Sequence, residues 1–166
     1  MRILGIDPGF ERLGIAILEK DKNKKPFDSA QGKEVVIFST CFKTSSKLNF
    51  SERLVLIGAE VRKIIKEYKP EVLAIETLFL NTNQKTVMRV AEARGVVVYE
   101  AGLAGLEIFE ASPPQIKIAT TGYGRASKTD INKMVKILVD VDQKIKSDDE
   151  LDAIAIALTA FACIKN

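Results

Sequence analysis

Residues 2–10 read RILGIDPGF. The run 3–6 is a short apolar segment of the kind that forms a buried strand, and Asp7 ends that strand on a Pro-Gly turn. On its own an Asp before Pro-Gly is an ordinary turn residue. A full charge at the end of a buried strand is nevertheless costly unless partners or ions meet it. The reading of the rest of the chain turns on what those partners are.

Outward from this strand, LGIAIL at 13–18 reads as a second strand in hairpin relation to the first. EKDKNKKPFDSAQGK is a polar, Lys-rich connector, and EVVIFSTCF is a third strand of high β-propensity. These three suggest an antiparallel meander. A helix follows over 50–68, with Leu54, Ile57, Val61, Ile64 and Ile65 on one face and Ser51 as its expected cap. EVLAIE is a fourth strand ending in Glu76. The next helix starts near Asn81 or Thr82 and carries Val87, Ala91, Gly95 and Val98 on one stripe. LEIFEASP is a fifth strand, PQIKIATTG a short helix, YGRAS a loop, KTDINKMVKILV a helix, and a last helix opens at about Asp149. The order βββαβαβααα predicts an α/β fold, a five-stranded mixed sheet with helices on its faces. Sites in such sheets gather at strand ends and adjacent helix termini.

The 166 residues are of single-domain length, and no internal repeat or linker divides them. The hydrophobic share of 46% and charged share of 28% are those of a globular chain. No apolar run has membrane-span length and no signal-peptide pattern is expected. Cys41 and Cys163 lie in apolar runs without metal-type spacing, which predicts buried free thiols in a reducing cytoplasm. A net charge of +3 says little by itself about nucleic acid. Histidine is absent, which removes Ser-His and Cys-His catalysis and every imidazole metal site. Hydrolytic chemistry would have to rest on carboxylates, lysines or a hard metal.

If the first and fourth strands are parallel neighbours, Asp7 and Glu76 emerge at the same edge. Asp149 and Asp152 stand three apart on one helix face, and Asp148 with Asp152, four apart, would serve equally. The apolar remainder of that helix, AIAIALTAFACI, belongs against the sheet, which presses the acidic first turn towards the strand ends. Each pair of ionised carboxylates at about 4 Å costs roughly 4 kcal/mol at an effective dielectric near 20. A helix N-terminus returns only about 0.3–1 kcal/mol per acid. Such a cluster needs protons or divalent cations, and an all-oxygen donor set favours Mg²⁺ or Mn²⁺. Taken singly, each acid is as well explained as a turn residue, a solvated strand end or a helix-start acid.

The segments ILGIDPG, LAIETLFLNTN, AEARGVV, GYGRASK and SDDELDAIAIALT occur in an order that resembles the RuvC-type crossover junction endodeoxyribonucleases of the ribonuclease H-like superfamily. GIDPG alone is shared with actin-like ATPases; IETLF, ARGV and DDELDAIAIALT carry the specificity. The resemblance spans Ile3 to about Phe161 and implies a ribonuclease H-like sheet with helices on both faces. Its catalytic acids are an Asp on the first strand, a Glu on the fourth and a D-x-x-D pair opening the last helix, here Asp7, Glu76, Asp149 and Asp152. Asp148 and Glu150 then read as solvated. Two departures stand out: the connector around 20–32 is longer than usual, and Ala160 stands where many members carry a histidine.

The same resemblance implies resolution of four-way (Holliday) DNA junctions by a homodimer, with one site per subunit and products ending in 5′-phosphate and 3′-hydroxyl. Two metal ions per site would serve, Asp7 bridging both, Glu76 and Asp149 each holding one, and Asp152 completing the shell. It points to Lys117 and Lys128 as DNA contacts, with Arg125 a further candidate in the GYGRASK loop, and to Phe79 as a residue that stacks on an exposed base. Branch-migration proteins are expected partners. Ala91 and Gly95 permit a close helix approach, either to the sheet or to a symmetry mate. The rival readings are a related nuclease acting on RNA–DNA hybrids or flaps, a junction-binding module without catalysis, and an actin-like ATP-binding protein. The last lacks further Gly-rich phosphate loops.

Overall fold

The computed structural model describes residues 1–20, 34–78, 84–139, 145 and 147–164. Strands β1 (Arg2–Asp7), β2 (Arg12–Lys20) and β3 (Glu34–Lys43) form the antiparallel meander expected from their short polar turn and alternating pattern. Strands β4 (Val72–Glu76) and β5 (Glu107–Ala111) add in parallel on the other side of β1, giving one sheet in the order β3-β2-β1-β4-β5. The helices are α1 (Phe50–Tyr68), α2 (Gln84–Leu103), α3 (Pro113–Thr121), α4 (Lys128–Leu138) and α5 (Asp148–Cys163). None among the described residues is long and apolar enough to cross a membrane.

The two-residue period of the strands divides the core into two layers. Leu4, Ile6, Ile15, Ile17, Leu73 and Ile75 pack with Ile57, Val61 and Ile64 of α1 and Ala93, Val97 and Ala101 of α2. Ile3, Ala16, Leu18, Val72 and Ala74 pack on the other face, against α5 and parts of α3 and α4. Asp7 and Glu76 fall in step with Ile3 and with Val72 and Ala74, so the pleat directs both acids to the face that α5 covers. This parity, set by residue count alone, is what brings the site together.

Four expectations are corrected. The cap of α1 is Asn49, not Ser51, and its N–H donates to Glu52 at 2.8 Å. The stripe of Val87, Ala91, Gly95 and Val98 does not act as one face: the buried apolar residues of α2 are Ala93, Val97 and Ala101, and of the four only Val98 packs against that core. That helix is apolar on more than one side, so periodicity did not single out a face. Gly95 is exposed, and an added Cβ there would have open space for 4 Å, which removes the sheet as the surface it approaches. The cysteines are free but not buried: Cys41 is half-buried, and Cys163 is exposed where the last turn of α5 turns outward. Glu150, expected in solvent, is 5% exposed and accepts a 2.7 Å hydrogen bond from Ser39 Oγ. Asp148 is exposed as expected and accepts from Asn132 Nδ2. The connector beyond Lys20, Phe79, and the candidate caps Asn81 and Thr82 lie outside the described residues.

Candidate active site

Two glycines decide how close α5 comes to the sheet. A Cβ on Gly14 would lie 2.1 Å from the carbonyl oxygen of Asp149, and one on Gly5 would lie 2.2 Å from that of Ala153. The helix backbone therefore rests directly on β1 and β2, with Ala153 and Ala157 as its small inner side chains. Ser147 Oγ caps the helix by accepting from Glu150 N, and the buried Ser39–Glu150 bond ties its first turn to β3. Asp149 and Asp152, projecting from that first turn, are thereby delivered to the ends of β1 and β4.

Asp7 and Glu76 are neighbours across the parallel pairing of Ile6 with Ile75. Asp7, Glu76 and Asp152 line one cavity of about 260 Å³, together with Lys117, Lys128, Pro113, Ile116 and Ile131. Lys128 Nζ donates to Asp152 Oδ2 at 2.7 Å. Asp149 sits beside this cavity rather than in it. Its Oδ2 accepts from Arg12 through Nε, at 3.0 Å, and through Nη2, and from the Cys41 thiol at 3.4 Å.

The electrostatics follow from this crowding. Burial, then the charges of Asp152, Glu76 and Asp149, push the Asp7 carboxyl up to about 7, with Lys128 opposing. Burial and Asp152 also raise Glu76. Burial raises Asp152 despite the bond from Lys128. For Asp149 burial acts upward, but the hydrogen bonds from Arg12 and Cys41 outweigh it and hold the group below its ordinary range. Arg12 and Lys128 pair with two of the four acids and Lys117 lines the cavity, so three cations face four acids and an excess of negative charge remains in a partly apolar pocket. Among the described residues no three acids already surround a common ion position, because Asp149 and Asp152 are turned to Arg12 and Lys128. The donors available are carboxylate oxygens, which suit Mg²⁺ or Mn²⁺.

Of the residues singled out from sequence, Asp7, Glu76, Asp152, Lys117 and Lys128 meet in the cavity, with Asp149 at its margin. Arg125 is exposed in the loop before α4. Sequence reading passed over Arg12, Ser39, Gly5 and Gly14, and took Cys41 for a buried thiol with no part in the site. A signal for the glycines was present: Gly14 and Ala16 alternate with large residues along β2, marking a small-residue face, and α5 offers alanines to meet it. Arg12 and Cys41 left none, since their role depends on the pairing of Gly14 with Cys41 across β2 and β3.

A sequence profile described as crossover junction endodeoxyribonuclease RuvC matches residues 3–160. A protein of that name from Alkaliphilus metalliredigens is 44% identical over 158 residues, covering 95% of this chain and 91% of the relative. Among solved structures, Thermus thermophilus RuvC aligns with a TM-score of 0.84 at 29% identity, over 97% of this chain and 93% of the other. The structure titled T. thermophilus RuvC in complex with Holliday junction substrate aligns with a TM-score of 0.85 at 28% identity, over the same shares of the two chains.

Proposed function

The chain belongs to the RuvC family of crossover junction endodeoxyribonucleases, and from that premise we propose that Asp7, Glu76, Asp149 and Asp152 form its catalytic and metal-holding centre. The enzyme resolves Holliday junctions. The observation that carries the site assignment is the meeting of Asp7, Glu76 and Asp152 in one cavity, one helical turn from Asp149. A likeness to a relative titled as bound to a Holliday junction supports four-way DNA as the ligand of that cavity. The sheet and its helices act as one domain.

Two Mg²⁺ ions, with Mn²⁺ able to substitute, would supply an activated water and neutralise the phosphate and leaving oxygen. Asp7, between strand ends and helix, would be shared by the ions, Glu76 and Asp149 would each help hold one, and Asp152 would complete the set. Arg12 and Lys128 balance Asp149 and Asp152 in the metal-free protein. Lys117 and Lys128 line the same cavity and are positioned to meet phosphate oxygens. Arg125, exposed on the neighbouring loop, adds a backbone contact, and Phe79 is proposed to stack on a base opened at the junction.

The test compares a synthetic four-way junction with an RNA–DNA hybrid, each in Mg²⁺, Mn²⁺ and chelator. Paired nicks with 5′-phosphate ends on the junction alone, lost in chelator, are expected; cleavage of the hybrid with an intact junction would overturn the reading. Junction binding in chelator should fall by about tenfold or more between 50 and 200 mM salt, since each neutralised phosphate contributes a slope of about −0.9. A flat response would contradict backbone contacts by the lysines.

Symmetric cutting calls for two copies. The outward face of α2 presents Ala91, Gly95 and Gly102 beside Met88 and Tyr99, which are 61% and 62% exposed. Small residues flanked by large apolar ones let a helix approach its own symmetry mate closely in an isologous interface. Gly95→Arg is expected to give a folded monomer by sedimentation and to abolish paired cuts. An unchanged dimer would place the interface elsewhere.

A further inference from the structure

Phe10 lies just past the turn that follows Asp7, on the opposite face of the sheet end from Lys117 and Lys128, since its ring packs with the α1 and α2 layer. It meets Phe50 edge to face, with centroids 5.7 Å apart and planes at 76°. The Arg89 guanidinium stands over both rings, 5.7 Å from the Phe10 centroid and 5.3 Å from that of Phe50. Arg53 also lies over Phe10, but it is buried, with Nε donating to Ser45 O at 2.9 Å and Nη1 3.7 Å from Glu11. Arg89 differs from it: the residue is exposed, and no acid pairs with it among the described residues.

The platform is pinned. Thr44 Oγ1 donates to Phe10 O at 2.6 Å and Thr44 N to Glu11 O at 3.1 Å, fastening the turn to the loop after β3. The exposed Lys43 ends β3 and the exposed Lys47 lies in that loop. Phe10, Thr86, Met88 and Arg89 line an open groove of about 400 Å³. Phe10 is three positions beyond Asp7, so their Cα atoms are at most about 11 Å apart. At about 3.4 Å per nucleotide along a duplex strand, that distance spans only a few phosphates. A guanidinium laid on aromatic faces keeps its in-plane N–H groups free, and those form paired hydrogen bonds to phosphate oxygens.

We propose that Arg89, preorganised by Phe10 and Phe50, binds a backbone phosphate of the junction strand a few nucleotides from the cut, on the side of the strand ends away from Lys117 and Lys128. The two cationic tracks would then flank the carboxylates and hold two parts of the substrate at once. Arg89 is a positioning residue in this scheme, acting on where the DNA lies and not on the reacting phosphate. The inference rests on the junction-resolving reading and extends it.

The experiment measures junction affinity against salt, in chelator, for wild type, Arg89→Ala, Arg89→Lys and Phe10→Leu, with melting temperature followed in parallel. Arg89→Ala is expected to weaken binding about fivefold to tenfold at 100 mM salt and to reduce the salt slope by about one. Arg89→Lys should restore the slope but only part of the affinity, because the charge returns without the stacked fork. Phe10→Leu should weaken binding while leaving the slope nearly intact. Cleavage at saturating junction should stay within about threefold for Arg89→Ala. Unchanged affinity and slope in Arg89→Ala, or a fall in melting temperature as the sole effect, would overturn the proposal. Failure of wild type to bind the junction would instead count against the substrate reading itself.

Discussion

Asp7→Asn is expected to abolish junction cleavage in Mg²⁺ and, in the metal-free protein, to raise stability at alkaline pH. The activity loss follows from the shared position proposed for Asp7. Removing it withdraws several kcal/mol of transition-state stabilisation, about three decades or more in rate. Junction binding should persist, because it rests on the basic residues.

The stability gain follows from the raised carboxyl. In the unfolded chain this group titrates at its ordinary value of 3.8, whereas in the fold it titrates at about 7. Between those values the folded state holds a proton that the unfolded state has released, so stability declines as pH rises through the window. Above about 7 the penalty is complete, and at pH 4 it is nearly absent. Asparagine carries no charge to desolvate, so its advantage should be negligible near pH 4 and reach about 1–3 kcal/mol at pH 8. For a chain of this size that is about 3–10 °C in Tm. Mg²⁺ should narrow the gap by stabilising wild type through binding to the folded state. Thermal melts of both proteins at pH 5 and pH 8, with and without Mg²⁺, check each part. A variant less stable than wild type at pH 8 would mean that the acids are not in mutual conflict.

The second large effect is expected at Gly14. A Cβ there meets Asp149 O at 2.1 Å and the Asp7 Cβ at 3.1 Å. Ordinary contact requires more than an ångström of further separation, so the start of α5 must lift from β2. Overpacking of this kind costs about 1–3 kcal/mol or more. The displaced atoms carry Asp149, and a misplacement of about 1 Å at a catalytic group can cost about a hundredfold in rate. Gly14→Ala is therefore expected to lose both stability and cleavage. Gly5→Ala, where the clash is with Ala153 O at 2.2 Å and Ala157 Cβ at 2.9 Å, should destabilise comparably while disturbing a point one turn further from Asp149. Chemical denaturation paired with single-turnover cleavage distinguishes the two. A Gly14→Ala protein with wild-type values in both would show that α5 does not rest on the strand as described.

What could be read along the chain was whatever depends on local spacing. The short apolar runs of RILGID and VLAIE, each closing on an acid, identified two strands that end in carboxylates. The apolar run behind SDDELD marked a buried helix with a charged first turn. The parity of Asp7 and Glu76 relative to the large apolar residues already implied a shared face. Conversely, α2 presents apolar residues on more than one side, so only packing against α1 and the sheet selected Ala93, Val97 and Ala101. Glu150 looks like its acidic neighbours in sequence, and it is the facing Ser39 on β3 that makes it a buried anchor.

The ordered acids and the strands and helices that bear them were determined by the sequence itself, because hydrophobic period and chain stops act between near neighbours. Which cation answers each acid, Arg12 for Asp149 and Lys128 for Asp152, was decided only by tertiary structure. Those partners lie 137 and 24 residues apart, and charge–charge contact depends on distance in space, which the pairing of strands and the seating of α5 on two glycines create.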